Sequence, residues 1–200
     1  MRTVTGLFDD HADARSAVTE LETAGVPSKD ISIVSNNADN RHSDDSKAAE
    51  GAGTGAGIGA VVGGAGGLLT GLGIMAIPGV GPVVAAGWLA ATAAGVAAGA
   101  VAGGAAGGIV GAMMDSGVSE EDAHVYAEGV RRGGTIVTAK VDDDMVPEAE
   151  AVLKRSNWVD PTARRAAYRE EGWQRFDGTL DPYDADQIEK ERARYNRPAL

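Results

Sequence analysis

The sequence has no cysteine, few aromatic residues and no cluster of basic residues, and each shortage excludes a class of protein. Without cysteine there are no disulfides, no thiolate nucleophile and no cysteine-ligated metal or iron–sulfur cluster. The formal net charge is -11 at pH 7, and arginine pairs occur only in isolation at 131–132 and 164–165, so nucleic acid is not expected as a partner. The first residues contain no apolar segment of the secretory-signal type, and we therefore expect this end of the chain in the cytoplasm.

Charge is absent altogether between Gly51 and Met114, and glycine recurs there at every fourth position. Residues four apart lie on one face of a helix, so the series predicts helices along which a second backbone can approach closely. The predicted helix-packing residues are Gly55, Gly59, Gly63, Gly67, Gly71, Gly87, Gly95, Gly99, Gly103 and Gly107. The pattern is typical of a glycine-zipper helical hairpin.

Pro78 and Pro82 interrupt the apolar run and predict a turn between two helical arms, 54–77 and 83–114. At 1.5 Å per residue the arms would reach about 35 Å and nearly 50 Å, against about 30 Å for the hydrocarbon core of a bilayer. The leading interpretation is a membrane-embedded hairpin, with membrane lipid and other copies of the chain as partners. Because the run is mostly glycine and alanine, a hairpin buried in a soluble oligomer and a mobile low-complexity segment are the alternatives.

The segments on either side of the run read as two halves of one domain. Thr3–Phe8 and Ile31–Ser35 have the pattern of strands, and between them Asp10 is placed to cap a helix that ends at Gly25. After the run, Thr135–Val141 has the pattern of a strand that again ends in an acidic pair before a helix. A further helix is predicted to begin at residues 119–122 and a last strand at 158–159.

Two such units are expected to combine into a four-stranded antiparallel sheet with helices on one face. The predicted class is therefore α+β, a split ferredoxin-like domain (βαβ–insert–αβαβ) with the helical hairpin inserted in it and a charged C-terminal tail. The predicted division is a first half-domain at 1–35, a polar linker at 36–50, the hairpin at 51–114, a second half-domain at 115–163 and the tail at 164–200.

The tail alternates charged residues with widely spaced aromatic ones. Acidic residues are too frequent in it for phosphate attraction, so base stacking on a nucleic acid is disfavoured. The pattern predicts an aromatic-anchored strap over the domain or over a neighbouring subunit, with a short helix at 188–195.

Few residues have the pattern of a chemical site. His11 stands among Asp9, Asp10 and Asp13, but carboxylates are expected at a helix start, so a solvated cap is predicted in place of a metal site. Asp142–Asp144 lack the spaced oxygen ligands of a calcium loop. No catalytic residue, metal or cofactor is predicted, and we do not expect an enzyme.

Several segments carry a resemblance to a known family. They are Thr3-Val-Thr-Gly-Leu-Phe-Asp-Asp10, Leu21-Glu-Thr-Ala-Gly-Val26, Ile31-Ser-Ile-Val34, the glycine-rich insertion, and Glu121 through Gly133 before Thr-Ile-Val-Thr-Ala. Over roughly residues 1–160 the chain resembles the bacterial general stress protein 17M-like family, whose relatives include low-temperature-induced proteins. The resemblance implies a stress-associated, often membrane-associated protein without established catalysis, and it supplies no catalytic residues.

Three functions are compatible with these features. The first is a non-enzymatic stress-related protein at the cytoplasmic membrane, with its soluble halves facing the cytoplasm and its hairpin self-associating; a soluble cytoplasmic oligomer is the alternative location. The second is a sensory or small-ligand-binding module, coupled to oligomerisation, whose ligand the sequence does not identify. The third is a pore, which the scarcity of polar lining residues disfavours.

Overall fold

A computed structural model of the chain describes residues 1–38, 73–77, 80–92 and 107–195. Its regular elements are β1 Arg2–Phe8, α1 His11–Thr23, β2 Ile31–Asn36, β3 Gly73–Ile77, β4 Gly81–Gly87, α2 Ala112–Asp115, α3 Glu120–Arg131, β5 Thr135–Val141, α4 Val146–Arg155, α5 Pro161–Glu170 and α6 Ala185–Tyr195. A short 3-10 helix spans Ser28–Asp30, a π-helical segment with a kink at Gly108 spans Gly107–Gly111, and residues 88–92 are helical.

Helix starts lie where capping side chains predict them. The Asp10 carboxylate accepts a hydrogen bond from the Ala12 N–H at 2.7 Å, which satisfies one of the main-chain donors that the first turn of α1 leaves free. Ser119 caps α3 in the same way, through the Asp122 N–H at 3.2 Å. Both starts confirm the sequence-based expectation.

The strands form one antiparallel sheet in the order β1-β5-β2-β4-β3. Helix α1 connects β1 to β2, which run parallel to each other on the two sides of β5. The prediction that the segments before and after the glycine-rich run share one sheet is confirmed, as is the α+β class. The expected last strand at Trp158–Val159 is reduced to a single bridge between Leu7 and Val159.

The middle of the apolar run differs from its prediction. The chain reverses here as predicted, but between strands: β3 and β4 pair antiparallel, in register from Ile77↔Gly81 to Gly73↔Ala85. The Val80 N–H donates to the Ile77 carbonyl at 3.0 Å, and residues 78 and 79 lie outside the described residues. Isoleucine and valine on both sides of the turn favour extended structure, and glycine is a poor helix former. Pairing with β2 then supplies main-chain hydrogen bonds to β4. The helical arms predicted over 54–77 and 83–114 are therefore wrong for residues 73–77 and 83–87.

Among the predicted helix-packing glycines, Gly87 lies at the end of strand β4 with φ +92°, so its helical assignment is also wrong. A Cβ atom at Gly87 would lie 2.3 Å from the Ile31 carbonyl oxygen. A second backbone does approach this glycine closely, but across a sheet. Gly107 begins the π-helical segment Gly107–Gly111. The eight others lie outside the described residues: Gly55, Gly59, Gly63, Gly67, Gly71, Gly95, Gly99 and Gly103.

Helices cover both faces of the sheet, where one covered face was expected. Helices α1 and α4 pack on one face, around Phe8, Leu21 and Ile33. Helix α3 packs on the opposite face with Leu89, Ile109 and Met113. The reason lies in the central strands. All six residues of β2 and six of the seven in β5 are buried, so side chains on both faces of these strands are covered by protein.

Within the described ranges, none of the helices has the length and apolar character needed to cross a membrane.

The conformation of Gly87 gives a direct test of strand β4. Gly87→Ala is expected to lower the free energy of unfolding by about 3 kcal/mol, because the new Cβ meets the β2 backbone and the residue is strained at positive φ. Gly25→Ala is the matched control: it has a similar φ of +99° but no atom within 4 Å of the added carbon, so about 1 kcal/mol is expected. Urea unfolding of both variants measures the difference. Equal losses, or stabilisation at position 87 as in a helix, would contradict the sheet.

Candidate functional site

The outer edge of β1 is the first candidate, because its strand partner is incomplete. The Val159 N–H donates to the Leu7 carbonyl at 2.7 Å, in the position of a further antiparallel strand. The chain leaves that position at once: Asp160 caps α5, with its carboxylate accepting from the Thr162 N–H at 2.8 Å, and Pro161 has no N–H to continue the ladder. The part of β1 before Leu7 is therefore left without a strand on this side among the described residues.

A groove of about 320 Å³ lies along that part of the strand. Its floor is β1, one wall is the start of α3 with the loop before it, and the other wall is α4. The lining residues are Arg2, Thr3, Val4, Thr5, Gly117, Val118, Ser119, Asp122, Tyr126, Val146, Glu150, Leu153, Lys154, Trp158 and Pro161. Two basic and two acidic side chains balance each other in this lining, so the groove does not select a strongly charged ligand.

The groove also contains polar groups with spare hydrogen-bonding capacity. The Tyr126 hydroxyl lies 3.4 Å from the Thr5 carbonyl oxygen, which is a long contact, and within the described chain the Thr5 hydroxyl has no hydrogen-bond partner. Burial, and secondarily the charge of Asp122, raise the pKa of Tyr126. Its phenol is therefore protonated at neutral pH and available as a donor.

A buried arginine–glutamate cluster is the second candidate, at the C-terminal end of α3. Glu128, 1% exposed, accepts from Arg131 Nε at 2.9 Å and from Arg132 Nε at 2.7 Å. Arg132 also donates to Glu171 at 2.6 Å and to Glu191 at 3.1 Å. Burial of both guanidinium groups is compensated by Glu128, and the pKa values of Arg131 and Arg132 are raised.

This cluster attaches the C-terminal tail to the sheet domain, since Glu171 follows α5 and Glu191 belongs to α6. The guanidinium of Arg132 also lies 4.1 Å from the centre of the Tyr168 ring, and that of Arg131 lies 4.9 Å from the Tyr183 ring.

A second attachment lies at Arg164, which donates to both carboxylate oxygens of Asp9 at 2.8 and 2.7 Å and stacks on the Tyr195 ring at 3.7 Å. Ile188 on α6 packs against Gly133, where it leaves no room for a Cβ atom. The predicted aromatic strap thus lies over the domain of its own chain.

The residues considered for metal or proton chemistry do not converge. His11 is buried at the first residue of α1, so the solvated cap expected for it is wrong. Burial lowers the pKa of His124, whose Nε2 lies 3.8 Å from Glu120, and His42 lies outside the described residues. Where the structure describes the chain, it contains no group of three histidine, aspartate or glutamate side chains able to hold a metal ion.

Sequence reasoning missed both candidates. The arginine pairs were noted only as isolated charges, although Glu128 stands three and four residues before Arg131 and Arg132 and could have indicated an ion pair on one helix face. The groove has no comparable pattern in the sequence, because it forms where the strand at Val159 ends and α5 begins.

Comparison with known proteins finds a family match for the N-terminal part of the chain. Residues 3–76 match the family model of the heat induced stress protein YflT domain, from the start of β1 into β3. The match confirms the resemblance to general stress proteins that the sequence motifs carry. No curated protein and no solved structure matches the chain.

We expect the arginine–glutamate cluster around Arg132 to hold the C-terminal tail on the sheet domain. Arg132→Met should lower the free energy of unfolding by about 3 kcal/mol, because it leaves two buried carboxylates with fewer cationic partners. Protease cleavage after α5 should become faster. Arg169→Met is the control, since its side chain is 58% exposed and its ion pair with Glu121 is long, 3.9 Å. Equal sensitivity of the two variants would mean that the cluster does not fasten the tail.

Proposed function

We propose that this chain, whose N-terminal part matches the family model of a heat-induced stress protein domain, is a non-enzymatic stress-related protein that associates with copies of itself through its glycine series. In this proposal the sheet domain is the scaffold and the C-terminal tail closes it. The glycine-rich run supplies the associating surface.

The observation that supports this function most directly is the way the run is anchored. Its middle forms β3 and β4, and its end packs against α3 through Ile109, Val110 and Met113. The glycine series that ends at Gly71 is therefore followed at once by strand β3. The series from Gly87 to Gly107 starts at the end of strand β4 and is followed by residues that pack on the sheet. Small residues at four-residue spacing, held in this way, are suited to close backbone contact with another copy.

The order of the sheet supports a ferredoxin-like core within this scaffold. Across the sheet the order is Val159, β1, β5, β2, and the connecting helices α1 and α4 lie on the same face. We infer that this four-strand unit is the core and that β4 and β3 extend it beyond β2. The described part of the insertion then extends the sheet.

The position of β4 favours the soluble oligomer over the two-crossing membrane hairpin. The membrane interpretation placed the turn at residues 78–82 on the far side of a bilayer. Instead, the segments on either side of it are strands β3 and β4, which pair with each other, and β4 pairs with β2. Pro182 of the tail packs on Gly81. Lipid binding by the glycine series is tested by including vesicles when self-association is measured.

Charge and burial support the absence of nucleic acid among the partners. Arg131, Arg132 and Arg164 are buried against carboxylates, and the chain is strongly acidic. A second candidate function, a ligand-binding module, is favoured by the groove along β1, whose volume is at the small end of the roughly 300–1,000 Å³ range of ligand sites.

The glycine spacing itself is the test of self-association. Gly63→Leu and Gly99→Leu enlarge residues on the two predicted stripes, so they should reduce the mass of the oligomer measured by light scattering of the full chain. Gly64→Leu and Gly104→Leu add the same side chain one position away and should leave the mass near that of the unmodified protein. The four proteins are measured with and without phosphatidylglycerol vesicles.

Equal effects on and off the stripes would contradict the proposal. Self-association that occurs only with vesicles would favour a membrane-embedded glycine series over a soluble oligomer. A monomer at all concentrations would remove self-association altogether.

A further inference from the structure

We infer that the groove along the outer edge of β1 is a binding site for an extended peptide. The peptide would pair with β1 as an antiparallel strand, in the position where the chain itself makes only one bridge, at Val159, before α5 begins at Pro161. This inference is independent of the self-association proposed above, because it concerns the opposite edge of the sheet from β3.

The main chain of β1 presents the groups that such a peptide requires. In an antiparallel pair, alternate residues direct both their N–H and their C=O to the same side. Leu7 faces away from β5, as its bond to Val159 shows, so Thr5 and Thr3 face the same way. Within the described chain, the Thr5 carbonyl meets only the long Tyr126 contact, and no strand lies opposite Thr3.

The bridge at Val159 sets the direction and register of the missing segment. Val159 lies opposite Leu7 and antiparallel to β1, so a continuing strand would place its next alternate residues opposite Thr5 and Thr3. With a rise of about 3.4 Å per residue, a stretch of about three residues fills this part of the edge. Asp160 and Pro161 cannot supply it, because they form the cap and first residue of α5.

The two walls determine which side chains fit. A residue opposite Thr5 shares the face of Leu7 and Val159 and would meet Val118 and Tyr126. A residue opposite Val4 points to the other face, towards Val146 and Leu153. Both walls are apolar near the strand, and the charges of the lining balance. The favoured occupant is therefore an uncharged extended segment of β-branched residues, bound by strand addition.

The probe is the peptide acetyl-Ser-Val-Val-Val-Ser-amide, titrated calorimetrically into the full chain. Its first and third valines would lie opposite Thr5 and Thr3, with their N–H groups directed at β1. N-methylation of the first valine removes one of these donors and places a methyl group against the strand, so affinity should fall by about tenfold or more. N-methylation of the central valine, whose N–H points away from β1, should change affinity by less than about twofold.

A pair of protein variants tests the same bonds from the other side. Thr3→Pro removes the outward N–H at an edge position where proline is tolerated, and should weaken binding by about tenfold. Thr3→Val is the control: both variants lose the hydroxyl bond to the Ser116 carbonyl, 2.6 Å long, but valine keeps the N–H and the affinity. Thermal unfolding of each variant establishes that it is folded.

Three results would overturn the inference. One is the absence of saturable binding of the unmodified peptide at millimolar concentration. Another is an equal effect of N-methylation at the first and central valines, which would mean that side chains alone make the contact. The third is a loss of oligomer mass in Thr3→Pro without peptide binding, which would assign the edge to contact between copies of the chain.

Discussion

The position of β2 inside the sheet is the constraint on which the rest of the structure depends. All six of its residues are buried, so its main-chain groups need protein partners along both edges. One edge bonds to β5 and the other to β4, strands that lie on opposite sides of the second glycine series in the sequence. The chain therefore satisfies β2 only by bringing the apolar run and the segment after it to the same sheet.

Both apolar cores and the tail follow from this arrangement. Because β2 and β5 are buried on two faces, α1 and α4 are needed on one face and α3 on the other. Placing α3 there brings Glu128, Arg131 and Arg132 to the end of the sheet, where the tail supplies two further glutamates. The outer edge of β1 is left incomplete, because α5 begins as soon as Val159 has made its one bridge.

Local signals predicted the parts of the fold that local interactions decide. Asp10 and Ser119 indicated two helix starts, and the residue pattern of Thr3–Phe8 and Thr135–Val141 indicated two strands. The glycine repeat led to a helical prediction for residues 73–87, because helical spacing can be seen in a sequence. The free edge of β2, which β4 occupies, cannot be seen there. The groove and the arginine cluster depend on contacts between residues such as Arg132 and Glu191, which sequence separation conceals.

Cross-strand disulfide formation between β2 and β4 tests the central claim most directly, since the chain has no cysteine of its own. Val34 and Ala85 are paired in register on one face, so Val34→Cys with Ala85→Cys should form an intrachain disulfide when refolded in glutathione buffer. Val34→Cys with Val84→Cys places the thiols on opposite faces and should remain largely reduced. Equal oxidation of the two proteins, or oxidation of the second alone, would contradict a sheet that contains the middle of the glycine-rich run.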